Sequence, residues 1–294
     1  MSDIKRFNNI KENSKRIDIN KKSKIVIFSD CHRGNGTYYD DLYPNVNIYL
    51  AALRYYYNEG YTYIENGDGD ELWKFKKISD IFDAHRDEYN ILNEFKKKNK
   101  LHMIYGNHDN VKSKKRFKRE IVKLQNKRVK LYEFYRNLDI VESITLKYHE
   151  TIDSSRDYIL FHGHQFDFLS YELLEVSKYL VRYVWNILNG VFSVKEPTSP
   201  ARSDNRRDKI DKRVLKLSKE ENESIIIGHT HKTMFPKDSE PQYFNIGAAV
   251  LPYTVTCIEI SNGVIALVKW IVTTNSNGTL IIRKEIIGGP KNLI

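Results

Sequence analysis

The feature that most restricts the fold of this chain is a series of short apolar runs that stop abruptly at polar residues able to bind a metal. The first run, Ile25–Phe28, is mostly β-branched and predicts a strand buried on both faces. It is followed at once by Asp30 and His32. If the backbone continues in an extended form, both side chains point to the same side. Taken alone, this pattern is more often a turn capped by its aspartate than a metal site.

Similar endings recur further along the chain. The runs at 61–64, 101–105, 158–161 and 224–227 are followed by Gly67-Asp68, Gly106-Asn107-His108-Asp109, His162-Gly163-His164 and Gly228-His229-Thr230-His231. Helical spacing of apolar residues at 47–58 and 78–98 separates the first three runs. Alternating strands and helices are typical of parallel α/β folds, in which ligands bind beyond the carboxyl ends of the strands. We therefore expect these polar side chains to meet at one sheet edge.

The two ends of the chain differ from this pattern. Residues before Lys24 are polar and basic and predict an arm or a frayed helix. Near the other end, three apolar runs are separated by Asn262-Gly263 and Asn277-Gly278. Asn-Gly between such runs is a strong signal for a hairpin, so this part is expected to form antiparallel sheet.

The strand endings together supply oxygen and imidazole donors. They are Asp30, His32, Asp68, Asn107, His162, His229 and His231. Such a set suits Mn, Fe, Co or Zn and argues against a structural zinc finger. Two ions need about this many ligands, with one carboxylate shared between them. The nearby thiol, Cys31, is expected to point away from its two neighbours.

With these motifs in this order, the chain resembles the calcineurin-like metallophosphoesterases over residues of about 24 to 250. The family signature is Asp-x-His, Gly-Asp-x-x-Asp/Glu, Gly-Asn-His-Asp/Glu, His-x-His and Gly-His-x-His. The resemblance implies an α/β fold, a four-layer αββα sandwich with two sheets flanked by helices. It also implies two divalent ions, with Mn²⁺ preferred and Fe, Zn, Co or Ni as alternatives. We expect one domain over residues 1–294.

The resemblance also implies a role for each donor. The first ion is expected at Asp30, His32, Asp68 and His231, and the second at Asp68, Asn107, His162 and His229. Asp68 is then the shared carboxylate. His162 is preferred to His164 as the ligand, since the family usually coordinates through the first histidine of that pair, and His164 becomes a candidate for substrate binding.

Four further residues are candidates for chemistry. His108 follows a candidate ligand and must diverge from Asn107, so it is better placed to protonate a leaving group. Asp109 or Glu71 is expected to orient its ring. Arg33 follows His32 and is a candidate phosphate clamp, because a guanidinium matches phosphate oxygens bidentately. A solvated loop residue is an equally good interpretation of Arg33.

The branch of the family is indicated by departures from its signature. Protein phosphatases continue the second motif with Arg-Gly, whereas here Glu71 is followed by Leu72-Trp73. The chain looks more like the hydrolases that act on UDP-2,3-diacylglucosamine, which carry a helical lid between the last two histidine motifs. Residues 167–223 form a corresponding insertion. This insertion contains an apolar stripe at helical spacing, formed by Leu169, Leu173, Val176, Leu180, Val184 and Leu188. The stripe predicts either a helix packed on the sheet or a lid that contacts an apolar substrate or a second subunit.

The expected function is metal-dependent hydrolysis of a small or lipid-linked phosphomonoester or diester. The alternatives are a protein phosphatase, a nuclease, and a scaffold that has lost its metals. A net charge of +10 and the basic run at 112–119 favour the nuclease, although such a run is usually a solvated face. The absence of a long apolar run and the two cysteines favour a cytoplasmic protein, peripheral to a membrane at most.

Overall fold

The computed structural model describes residues 2–151, 154–167 and 204–294, which contain two β-sheets and helices on their outer faces. The strands are β1 Lys15–Asn20, β2 Ile25–Phe28, β3 Thr62–Asn66, β4 Leu101–Ile104, β5 Ile140–Val141, β6 Ser143–His149, β7 Ser155–Phe161, β8 Ser224–Ile227, β9 Thr233–Met234, β10 Tyr243–Ile246, β11 Thr254–Ser261, β12 Val264–Thr274 and β13 Leu280–Asn292. The α-helices are α1 Asp3–Glu12, α2 Val46–Asn58, α3 Ile78–Ala84, α4 Arg86–Lys97, α5 Lys115–Lys123, α6 Val129–Tyr135 and α7 Asp204–Glu221. Short 3-10 helices lie at Tyr43–Asn45, Asn110–Ser113 and His164–Phe166.

The large sheet has seven strands in the order β13-β12-β11-β2-β3-β4-β5. Strands β2 to β5 are parallel, and β11, β12 and β13 add antiparallel strands, as the Asn-Gly turns predicted. The small sheet has the order β1-β6-β7-β8-β10-β9, with β7, β8 and β10 parallel. The carboxyl ends of β2, β3 and β4 in one sheet and of β7 and β8 in the other carry the polar motifs.

Three apolar clusters hold the layers together. The cluster between the sheets joins residues of both, including Ile27 and Ile64 from the large sheet and Leu160 from the small one. A second cluster packs α2 to α6 against the outer face of the large sheet. A third packs α1 and α7 against the outer face of the small sheet. The order helix, sheet, sheet, helix confirms the predicted four-layer sandwich, because each sheet is apolar on both faces.

Two local predictions need correction. The polar N-terminus forms α1 and β1: Phe7 and Ile10 are buried in the third cluster, and β1 pairs with β6. The predicted helix at 78–98 is two helices, which meet at His85, whose ring bonds Asp40 and Glu88. The helix α7 lies within residues 167–223, the predicted insertion, and packs on the small sheet. The stripe from Leu169 to Leu188 lies outside the described residues.

Candidate metal centre

The structure brings the predicted donors together where the two sheets meet at their carboxyl ends. Two groups have ligand atoms that all lie within 4.8 Å of one another. One is Asp30, His32 and His231, and the other is Asp68, His162 and His229. The groups adjoin, because the Nε2 atom of His162 is 3.0 Å from Asp68 Oδ2 and 3.9 Å from Asp30 Oδ1.

Each carboxylate is fixed through one oxygen and turns the other toward the centre. Asp30 Oδ2 accepts hydrogen bonds from the Ser29 hydroxyl at 2.6 Å and from the His229 backbone N–H at 2.9 Å. Asp68 Oδ1 accepts from the His108 backbone N–H at 2.8 Å. The remaining oxygens, Asp30 Oδ1 and Asp68 Oδ2, face the histidine rings. Such outer contacts hold a ligand in the orientation that an ion requires.

The histidine rings are fixed in the same way. His162 Nδ1 donates to the Asn66 carbonyl at 2.9 Å, and His32 Nδ1 lies 3.0 Å from Glu71 Oε2, so each ring turns Nε2 inward. His229 is oriented oppositely, because its Nε2 lies 3.0 Å from Asp167 Oδ2. That contact leaves Nδ1 of His229 as the atom for an ion.

Several buried atoms at this centre lack hydrogen-bond partners among the described residues. They include both amide atoms of Asn107, together with Asp30 Oδ1 and His162 Nε2, whose polar neighbours at 3.0 Å do not meet hydrogen-bond geometry. Leaving a buried polar group unsatisfied costs about 1–3 kcal/mol, so such groups need a specific explanation. Oxygen and imidazole atoms that converge without hydrogen-bond geometry fit one or more divalent cations of the Mn, Fe or Zn type.

The charge balance of the centre leads to the same conclusion. Burial alone would raise the pKa of Asp30 and Asp68, but neighbouring histidines hold both values below the usual range. Burial lowers the pKa of His162, but the Asp68 and Asp30 carboxylates outweigh this effect and raise the pKa to about 9. The buried carboxylates thus require positive charge, which protons on histidine or bound cations can provide.

The backbone at the centre is unusual and corrects one sequence argument. Left-handed φ values occur at Asp30 (53°), His32 (46°), Asp68 (51°), His229 (66°) and His231 (56°). Such strain in residues other than glycine clusters at functional sites. The expectation that Asp30 and His32 converge through extended backbone is therefore wrong, although the two side chains do meet. Glycine is required at Gly106, because a Cβ there would collide with the Asp68 carboxylate.

A third group, His32, Glu71 and His108, is satisfied by hydrogen bonds. Glu71 lies 2.8 Å from His108 Nδ1 and 3.0 Å from His32 Nδ1, so it links a candidate ligand to the candidate acid. The Trp73 ring stacks on His108 at 4.1 Å between centroids. Burial lowers the pKa of His108, but the charges of Glu71 and Asp68 outweigh it and raise the value overall. Glu71 therefore orients the His108 ring, and Trp73 is a contact that the sequence did not reveal.

Asp109 does not contact the His108 ring. Its Oδ1 accepts the Gly106 N–H at 2.7 Å and its Oδ2 pairs with Lys112 at 2.7 Å. The proposed role of Asp109 in orienting the acid is thus corrected: this carboxylate fixes the loop after β4.

Arg33 is not placed to clamp a phosphate. Its side chain is fully buried, with Nε 2.7 Å from Asp70 Oδ1 and Nη1 2.8 Å from Glu65 Oε2. Lys112 is buried in the same cluster, 2.5 Å from Asp70 Oδ2. The Arg33 guanidinium also lies 3.4 Å from the Tyr49 hydroxyl of α2 and 5.3 Å from the centroid of the Tyr89 ring of α4. Lys112 likewise departs from the solvated face predicted for the basic run.

Two more residues lie beside the centre. His164 is buried, and its ring centroid is 5.5 Å from that of His162; burial and the neighbouring His162 and His229 hold the pKa of His164 well below its usual range. Arg206, on α7, makes a bidentate contact with Asp167, which in turn holds His229. Asp167 was not among the predicted site residues. Its position three residues after His164, close to a histidine motif of the centre, is the feature of the sequence that could have indicated it.

Comparisons with known proteins bear on this centre. Residues 23–233 match the family model described as calcineurin-like phosphoesterase. A search of curated proteins gave no significant match. Among solved structures, that of Vps29 from Chaetomium thermophilum matches with 8% identity and a TM-score of 0.36, over 90% of this chain and 96% of that chain. A TM-score this low shows neither the fold nor the activity of this chain.

Proposed function

This chain belongs to the calcineurin-like phosphoesterase family, and from that premise we propose that it hydrolyses phosphoesters at a centre that holds two divalent ions. The observation that carries the proposal is the meeting of two donor groups around Asp68, next to the buried Asn107 amide, whose atoms have no partner among the described residues. Family membership supports metal-dependent hydrolysis. The number of ions rests on the arrangement of the donors.

We assign Asp30, His32 and His231 to one ion and Asn107, His162 and His229 to the other, with Asp68 shared. Asp68 Oδ2 supports the sharing because it lies 3.0 Å from His162 Nε2 in one group and 3.9 Å from His32 Nε2 in the other. The absence of thiolate ligands favours Mn²⁺, with Fe, Zn, Co or Ni as alternatives.

The residues around the ions have separate tasks in the proposed reaction. Divalent ions lower the pKa of water and stabilise charge on phosphoryl oxygens. The Asn107 amide nitrogen is assigned to donate to a phosphoryl oxygen that gains charge. His108, held through Nδ1 by Glu71, is left with Nε2 to donate a proton to the departing oxygen. The Glu71 and Asp68 carboxylates raise the pKa of His108, which favours the protonated ring that this role requires.

A small or lipid-linked phosphomonoester or diester is the proposed substrate. The lipid-linked form would engage the insertion at 167–223 as a lid, in the manner of the UDP-2,3-diacylglucosamine hydrolases, which this sequence resembles. The proposed location is cytoplasmic, at most peripheral to a membrane. In the described residues, no helix combines the length and apolar character needed to cross a bilayer.

A nuclease is the second candidate, favoured by the net charge of +10. Several basic side chains pair with carboxylates of the chain itself, however. Lys112 is buried among carboxylates, Arg206 contacts Asp167, and Arg213 pairs with Asp3 at 2.5 Å. A small substrate is therefore the better proposal.

The test is a panel of nitrophenyl phosphomonoesters and diesters, assayed with the metal-depleted chain before and after Mn²⁺ addition. We expect hydrolysis only after Mn²⁺ is added, and loss of that activity on chelation. Single-stranded and duplex DNA serve as comparison substrates. Equal activity with and without metal would contradict the proposal, and faster turnover of DNA than of every small ester would favour the nuclease.

A further inference from the structure

The outer edge of the large sheet is β13, which pairs with a strand on only one side within the described residues. Its regular ladder with β12 runs from Leu280 to Ile286. An unpaired edge presents a row of backbone N–H and C=O groups that another strand can bind. Large apolar side chains are also exposed along this edge: Leu280 (70%), Ile281 (37%), Ile286 (55%) and Ile287 (43%). A long edge strand with exposed apolar side chains is prone to pair with another strand.

The centre of β13 is complementary to itself. It reads Ile282-Arg283-Lys284-Glu285-Ile286, with opposite charges and isoleucines placed symmetrically about Lys284. If two copies pair antiparallel around a twofold axis at Lys284, Arg283 of each copy lies opposite Glu285 of the other. Ile282 of each copy then lies opposite Ile286 of the other. Opposite charges and apolar pairs directly across antiparallel strands are each stabilising.

The two lysines at the axis do not oppose this pairing as bare charges. Lys284 Nζ lies 2.7 Å from Glu259 Oε1 and 4.8 Å from the centroid of the Tyr55 ring. Its ammonium is therefore directed onto its own chain and is neutralised there. The axis can pass through the backbone at Lys284 with little repulsion between the side chains.

Charged residues on a sheet edge often serve to prevent pairing. A blocking edge needs charges that repel an incoming copy, whereas here both signs are present on one face. Arg283 Nη2 lies 2.6 Å from Glu285 Oε1, and Lys269 Nζ lies 2.9 Å from Glu285 Oε2, so these side chains share one face of the sheet. In the dimer, Arg283 of each copy joins this ion-pair network of the other. An antiparallel second copy meets the opposite sign at both positions. These charges thus select a register rather than block the edge.

We propose that two copies of this chain form a symmetric dimer through antiparallel pairing of their β13 strands about Lys284. The large sheets of the two copies then form one continuous sheet. This interface uses no residue of the metal centre and does not depend on the proposed hydrolysis.

The test uses charge reversal, with sedimentation velocity as the readout. The unaltered chain is expected to dimerise in a concentration-dependent way. Arg283→Glu and Glu285→Arg each place like charges opposite one another twice in the dimer. Because both cross-strand pairs change from attractive to repulsive, dimerisation of either variant alone is expected to weaken about tenfold.

Mixing the two variants provides the decisive control. In a mixed dimer, Glu at 283 faces Arg at 285, and Glu at 285 faces Arg at 283, so every pair is again attractive. An equimolar mixture is therefore expected to recover the dimer, which also shows that both variants are folded. A chain that stays monomeric, variants that dimerise as well as the unaltered chain, or a mixture that stays monomeric would each overturn the proposal.

Discussion

Replacing Asp68 by Asn is expected to remove most of the bound metal and to abolish metal-dependent hydrolysis. A shared carboxylate holds two cations against their mutual repulsion, and an amide lacks the charge to do so. The loss of several kcal/mol of stabilisation corresponds to a fall in turnover of about a thousandfold or more. Asn retains an oxygen for the His108 N–H, which Asp68 Oδ1 accepts at 2.8 Å, so the loop after β4 should keep its conformation.

Metal content and turnover of Asp68→Asn are measured together, after reconstitution with Mn²⁺ and removal of free ion. The matched control is Asp87→Asn, which removes the same charge from an exposed position on α4. The control should retain full metal content and turnover. Full occupancy together with full activity in Asp68→Asn would show that the shared-carboxylate assignment is wrong.

Replacing His108 by Asn is expected to slow hydrolysis without removing metal. General acid catalysis typically contributes about 10²–10⁴-fold, and only where the leaving group needs a proton. Esters with alkoxide leaving groups should therefore lose activity by that factor, whereas nitrophenyl esters, whose leaving group departs unprotonated, should lose much less. Glu71 keeps its contact with His32, 3.0 Å away, so the candidate ligand stays oriented.

The measurement compares alkyl and nitrophenyl esters in the same preparation, together with its metal content. His149→Asn is the matched control, since His149 pairs with Asp18 at 2.7 Å on the paired strands β1 and β6, outside the metal centre. A uniform loss across leaving groups, or a loss of metal, would instead make His108 a ligand or a positioning residue.

The parts of this fold that depend on local pattern could be predicted from the sequence. The buried runs and their polar endings predicted the strands and the set of donors, because each signal lies within a few consecutive residues. The four layers were expected from the family resemblance and not from this local pattern. The Asn-Gly turns predicted the antiparallel strands for the same reason. The side on which each donor lies was predicted less well, since Asp30 and His32 meet through left-handed backbone instead of extended strand.

The errors arise where contacts join distant parts of the chain. Arg33 looked available for a phosphate, but its partner Asp70 lies 37 positions later. His85 interrupts a helical pattern through its contact with Asp40, 45 positions earlier. The helix α1 looked like a loose arm because it has few apolar residues, yet Phe7 and Ile10 pack on the small sheet and Asp3 pairs with Arg213 of α7. Local periodicity contains no information on such pairings.

The most direct measurement of the central claim is anomalous diffraction at the manganese absorption edge from crystals of the Mn²⁺-reconstituted chain. We predict two peaks roughly 3.5–4 Å apart, on either side of the Asp68 carboxylate. One should lie against Asp30, His32 and His231, and the other against Asn107, His162 and His229. A single peak, or peaks away from these residues in crystals of fully active protein, would contradict a two-metal phosphoesterase centre.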